Sequence, residues 1–167
     1  DSVLTRSLAA RPRPARPVPA DPDIAGVRPL VIIAHPDDET IGAGILLKRS
    51  LPGGAIWVTN GAPAKDTYAR RAGFDNWLSY AHARSNEARA ALNLLERPLG
   101  PLVGLGIRDQ EAVWHLTALS RWLVDPLRSS FTHVVTHAYE GGHPDHDAVA
   151  FAVHAACALI AKDGGVP

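Results

Sequence analysis

The feature that most restricts the fold is Leu30-Val31-Ile32-Ile33-Ala34, an unbroken apolar run rich in β-branched residues. A strand that is apolar at every position, rather than at every second one, must be covered on both faces, as strands inside a parallel sheet are. His35-Pro36-Asp37-Asp38-Glu39 follows directly, and then residues 40–49, an apolar-periodic stretch of good helix formers. Pro36 disfavours helix before it, and acids suit a helix's first turn, where the dipole favours negative charge. The pattern then repeats. Residues 55–59 read as a second strand ending at Asn60-Gly61, and 62–75 as a long polar loop. Residues 76–95 form an amphipathic helix with Leu78, Ala81, Ala88, Ala91, Leu92 and Leu95 on one side. Residues 98–107 hold a weak third strand, 111–127 a helix, 132–137 a fourth strand and 145–162 a last helix. Strands alternating with helices predict an α/β fold, a Rossmann-like three-layer sandwich with a mainly parallel sheet.

The 167 residues amount to one domain, large enough to bury a core without staples. Residues 1–28 have a different texture, exemplified by Arg11-Pro12-Arg13-Pro14-Ala15-Arg16-Pro17. Proline fixes φ and removes donors, so this stretch reads as an extended arm or linker preceding a domain over 29–167. The chain has no methionine and stops just after a helix-like segment, so the expectation is a C-terminally incomplete domain from a longer protein. Lys plus Arg (17) balance Asp plus Glu (17), which leaves no global charge to attract nucleic acid. The apolar runs are too short to span a bilayer, and the polar N-terminus has no signal-peptide pattern. The single cysteine, Cys157, rules out an intramolecular disulfide. A cytoplasmic protein with a small-molecule partner is expected, with no nucleic acid and no membrane span; oligomeric state is not legible.

Open α/β sheets bind ligands beyond the carboxyl ends of their strands. Two junctions of that kind concentrate His and Asp here: His35-Pro36-Asp37-Asp38-Glu39 after strand one, and Gly141-Gly142-His143-Pro144-Asp145-His146-Asp147 after strand four. In a parallel sheet both lie on one edge and can converge. Imidazole and carboxylate are normal zinc ligands, and a catalytic zinc keeps three protein ligands and one open position. A strand-end turn can aim His35 and Asp38, three residues apart, at one ion, with His146 as a third ligand from the other loop. Asp37 and His143 are then acid/base candidates beside it. Helix capping by Asp and Pro is the bland alternative for both motifs.

Ala34-His35-Pro36-Asp37-Asp38-Glu39 followed by Gly141-Gly142-His143-Pro144-Asp145-His146 resembles the LmbE-like, or PIG-L, de-N-acetylase family, with Val58-Thr59-Asn60-Gly61 and Arg84-Ser85-Asn86-Glu87 as further matching pieces. The resemblance runs from about Leu30 to Ala158. It implies an LmbE-like fold and a hydrolase that removes an acetyl group from an N-acetylated sugar such as an N-acetylglucosamine conjugate, with one Zn2+ per chain or another divalent metal such as Fe2+. It implies His35, Asp38 and His146 as metal ligands, Asp37 as general base, and His143 as the group that stabilises the oxyanion and serves as general acid. It implies Asp145 as a further member of that catalytic group that orients a neighbouring His, and Arg84 and Asp109 as substrate contacts. Two features depart from the family pattern: Gly42-Ala43-Gly44 where many members have a Gly-Gly pair, and Arg108-Asp109-Gln110 without the usual Asp-Gly.

Other functions meet the sequence less well. No G-x-G-x-x-G follows strand one, against a dinucleotide-binding enzyme, and no G-x-S-x-G elbow is present, against a serine hydrolase. A non-catalytic metal- or sugar-binding module of a larger protein and a metal-dependent esterase on the same fold stay open as alternatives. For Arg84 and Glu87 an exposed helical ion pair is the plain alternative, and for Asp109 and Gln110 a helix cap. His137 is divided between packing and a place behind the site, and Trp57 and Trp77 between core and lid.

Overall fold

In the computed structural model the apolar run becomes β1 (Pro29–Ile33), and every residue of it is buried. The described residues are 24 and 26–165, so the arm expected over 1–28 lies almost wholly outside them. β1 sits between β2 (Gly54–Pro63) and β4 (His133–Val135), and β3 (Leu102–Asp109) pairs with the far side of β2. The sheet order is β3-β2-β1-β4 with every pairing parallel. Strand pleating divides β1 between two cores. Leu30, Ile32 and Ala34 join Ile56 and Val58 beneath α4 (Leu116–Leu127) and α5 (Pro144–Lys162). Val31 and Ile33 join Trp57 beneath α1 (Asp38–Arg49) and α3 (Trp77–Asn93). The three-layer α/β sandwich is therefore what covers both faces of the run. Among the described residues no helix is long and apolar enough to cross a membrane.

Several elements differ in detail from expectation. The stretch read as loop contains a short helix, α2 (Asp66–Arg71); only Ala69 of its six residues is buried, so it carries almost no apolar periodicity. β2 runs on to Pro63 because β3 follows it out, pairing Pro63 with Asp109 after two register shifts. β3 reads weakly because it is an edge strand in which Gly104 and Gly106 supply no side chain to either face. The helix expected over 111–127 opens with a 3-10 turn, Ala112–His115.

The chain passes from β1 outward through β2 and β3, then returns to the other side of β1 for β4. That reversal is a topological switch point, where the connections leave in opposite directions and a crevice opens at the carboxyl ends of the strands. His35 follows β1 there, and His137 follows β4.

Candidate metal centre and active site

Four strand ends and one helix start deliver polar residues to the crevice: His35, Asp37 and Asp38 after β1, Thr59 and Asn60 in β2, Asp109 at the end of β3, His137 after β4, and His143, Asp145 and His146 at the start of α5. His35 Nδ1, Asp38 Oδ2 and His146 Nε2 form a triangle with sides of 3.4, 3.7 and 3.3 Å. In a tetrahedron the ligand–ligand edge is about 1.63 times the bond, so zinc bonds of about 2.0–2.2 Å require edges of about 3.3–3.6 Å. The donor set and its spacing thus fit a zinc-type ion. The outward atoms fit too, since metal-binding imidazoles characteristically place their second nitrogen against a carboxylate. His35 Nε2 lies 3.2 Å from both Asp145 Oδ2 and Asp109 Oδ1, and His146 Nδ1 lies 2.7 Å from Glu140 Oε1. Asp38 Oδ2 also accepts the His35 backbone N–H at 2.8 Å.

Three other trios, Asp38-His137-His146, His35-His143-His146 and His35-Asp109-Asp145, bring donor atoms within 4.8 Å of one another. His137 Nε2 accepts the Ala34 amide at 2.9 Å, so its lone pair is engaged; its ring stacks on His146 at 4.0 Å and 8°, which fixes that imidazole's orientation. His143 Nδ1 accepts the Asp145 amide as the cap of α5. A neutral His143 therefore carries its proton on Nε2, the atom that faces Asp109 at 4.0 Å, and is set to donate.

Carboxylates surround the His35 imidazole. Burial opposes charge on His35, yet hydrogen bonds that its ring donates to Asp109, Asp145 and Asp38 push its pKa up to about 11. The same contacts act on the carboxylates: burial would raise Asp38 and Asp145, but the His35 ring and backbone N–H at Asp38, and His35 with the Gln110 and Ala112 amides at Asp145, hold both below the usual range. Asp145 is fully buried, with Oδ2 taking the Gln110 amide at 2.6 Å and Oδ1 the Ala112 amide at 3.0 Å. It stands behind His35, with Oδ2 facing that ring's Nε2. Asp109 likewise lies against His35 and His143.

Asp37 occupies a different position. It is the N-cap residue of α1 yet makes no side-chain cap, because its φ of 142° turns the carboxylate away from the helix. Such a conformation costs a non-glycine residue about 1–3 kcal/mol. Its Oδ2 instead meets Arg84 Nη2 at 3.0 Å, and the same nitrogen donates to the Pro36 carbonyl at 2.8 Å. Arg84 thus reaches across from α3 to Asp37. Burial raises the Asp37 carboxyl above its ordinary value against the pull of Arg84. Gly61, at φ +64°, makes room for this pair: a Cβ there would meet Pro36 Cδ at 2.9 Å and Arg84 Nε at 3.2 Å. A cleft of about 300 Å3 lined by Asp37, Thr40, Ile41, Tyr80, Arg84 and Glu87 opens beside them. A second, of about 350 Å3, shares Pro36 and reaches Asn60, Trp77 and His82. Trp77 packs under Arg108 at 4.7 Å, while Trp57 is core.

Glu140 and the role of Glu39 escape the sequence reading. No local pattern marks Glu140, six residues before its partner His146 across an irregular loop, and Glu39 looks like an ordinary first-turn acid.

A family model described as GlcNAc-PI de-N-acetylase (PIG-L) matches residues 30–157, which hold every residue of this constellation. The chain belongs to the PIG-L family. Among solved structures, the PIG-L chain is similar to N,N'-diacetylchitobiose deacetylase from Pyrococcus horikoshii, with a TM-score of 0.63 and 23% identity over 79% of this chain and 49% of that one. It is similar to the A40926 pseudoaglycone deacetylase Dbv21 (TM-score 0.65, 24% identity, 84% of this chain and 61% of that one). A deacetylase triple mutant from the teicoplanin biosynthetic pathway is also similar (TM-score 0.60, 26% identity, 83% and 61%). The chain spans about half to three-fifths of the length of these structures. No curated protein matches it in sequence.

Proposed function

We propose that this PIG-L chain carries the catalytic centre of a zinc-dependent hydrolase that removes an N-acetyl group from an amino sugar or sugar conjugate. The observation that carries the reading is the triangle of His35 Nδ1, Asp38 Oδ2 and His146 Nε2, with sides of 3.3–3.7 Å, set among Asp37, His143 and Arg84. These three atoms would hold the metal, which when bound acidifies water and polarises an acyl carbonyl. Asp37 is the proton acceptor for the attacking water: its carboxylate is not consumed by helix capping, and it borders a cleft. His143 Nε2–H donates a hydrogen bond to the oxygen that becomes negative as the carbonyl carbon turns tetrahedral, and the proton that Asp37 took from the water is the one the departing amine needs. Arg84 holds Asp37 in place and lines the same cleft, where a substrate hydroxyl can meet it. Asp145, Asp109 and Glu140 fix the ligand imidazoles and take no proton from the substrate. A single-metal centre suits acyl transfer to water better than the paired-ion displacement of phosphate chemistry. The family description, and solved structures named as deacetylases of diacetylchitobiose and of the A40926 pseudoaglycone, support the amide and the sugar.

The test is acetate release by zinc-loaded protein from N-acetylglucosamine conjugates and from the corresponding O-acetyl esters. Release from the amides, lost in Asp37→Asn, is expected. Release from the esters alone would transfer the centre to an esterase, and release from neither would overturn the hydrolase reading.

A further inference from the structure

Glu39 is the one carboxylate of the first motif that the chemistry above does not use, and it is fully buried. A carboxylate without solvent is costly unless its oxygens are met by donors. Three donors meet this one, and they are unequal in consequence. Oε2 accepts the Trp57 indole N–H at 2.7 Å and the Asp37 backbone N–H at 3.1 Å; Oε1 accepts the Thr40 hydroxyl at 2.8 Å. Trp57 is itself core, 2% exposed, beneath α1 and α3, so the indole is a fixed anchor. At an ordinary N-terminus an Asp in the cap position turns its own carboxylate onto the first amides of the helix. Here Glu39, two residues on, reaches back to the amide of the cap residue, and Asp37 stays at φ 142° with its carboxylate on Arg84.

We propose that Glu39, anchored by Trp57, is a second positioning residue for Asp37, acting on its backbone as Arg84 acts on its carboxylate: it grips the Asp37 amide, holds the residue out of the capping conformation, and so keeps its carboxylate in the cleft for proton transfer. The inference rests on Asp37 being the proton acceptor. Without Glu39 the strained turn relaxes, and Asp37 folds back to cap α1. The substrate and metal contacts survive, and the proton acceptor is lost.

The variants Glu39→Leu, Glu39→Gln and Trp57→Phe are compared in the zinc-loaded chain for kcat, KM and zinc affinity. Misplacement of a reacting group lowers kcat by about 100-fold, and that fall is expected for Glu39→Leu with KM and zinc affinity unchanged. Glu39→Gln keeps an oxygen for the two N–H donors and turns its amide towards the Thr40 hydroxyl, which can accept. It therefore restores kcat to within about fivefold of wild type, and Trp57→Phe, which removes one anchor, lowers kcat by about fivefold. If Glu39→Leu does not fold, the Glu39→Gln and Trp57→Phe values decide. Wild-type kcat in Glu39→Leu, or a loss of zinc affinity in step with kcat, would overturn the proposal. Asp37→Asn separates the two claims. Full activity there removes the proton acceptor itself, whereas an inactive Asp37→Asn beside a fully active Glu39→Leu removes only the role of Glu39.

Discussion

Replacing Asp145 by Asn tests how the site is built, because that carboxylate ties three parts of the chain together. It accepts the Gln110 amide at 2.6 Å and the Ala112 amide at 3.0 Å and faces His35 Nε2 at 3.2 Å. A carboxamide is nearly the same shape but has one acceptor atom, so an N–H of Gln110 or Ala112 must face an NH2. An unpaired buried donor costs about 1–3 kcal/mol, and for a domain of this size each kcal/mol lowers the Tm by about 2–4 °C. The metal-free variant should therefore melt about 2–12 °C below wild type. Loss of a carboxylate behind a ligand imidazole weakens metal binding by about 10–100-fold, read by competition with a chromophoric chelator. The pH dependence has a definite sign. The folded-state pKa of Asp145 lies below its ordinary 3.8, because His35 and the two backbone amides outweigh burial. Its contribution is complete above the unfolded value and is lost as pH falls through the folded one. The difference in stability between wild type and Asp145→Asn should thus be constant near neutrality and shrink in acid below the usual carboxylate range. Equal melting and equal zinc affinity would refute the view that Asp145 clamps His35.

Other perturbations separate the parts. Asp37→Asn should lower turnover by about 100- to 10,000-fold, the range for loss of a positioned general base, while zinc content by atomic absorption stays unchanged. Gly61→Ala combines a positive φ with a Cβ 2.9 Å from Pro36 Cδ; it should lower the unfolding free energy by about 1 kcal/mol or more and, by displacing Arg84, depress kcat/KM more than Gly42→Ala, where the space is open. Zinc binding at pH 7 should release about one proton per chain, because the carboxylates hold metal-free His35 protonated up to about 11; calorimetry in two buffers of different ionisation enthalpy measures it.

How much of this could be read from the sequence follows from the range of the interactions. The run Leu30 to Ala34 announces a doubly covered strand because burial on both faces leaves no polar position. The two His-Pro-Asp junctions mark the crevice because parallel strands bring their carboxyl ends to one edge. A ligand's second partner is another matter: Glu140 reaches His146 through a loop whose path no periodicity records, and Asp109 reaches His35 from 74 residues away. His137 shows why residue type is insufficient, since only its contact with the Ala34 amide engages the nitrogen that would otherwise bind a metal. Arg84 likewise has an i+3 acid, Glu87, in reach by sequence, but the glycine at position 61 lets it turn to Asp37 instead. Glu39 and α2 were hidden for a simpler reason: a first-turn acid and a polar six-residue helix look the same whether buried or exposed.

The most direct test of the metal-centred reading is a zinc titration of the chelator-stripped chain beside His35→Ala and His146→Ala, with acetate release from an N-acetylglucosamine conjugate followed at each point. Activity rising with occupancy to a plateau at about one zinc per chain, with neither variant binding or turning over, is the expected result. Failure of the wild-type chain to bind zinc, or undiminished binding in both variants, would contradict it.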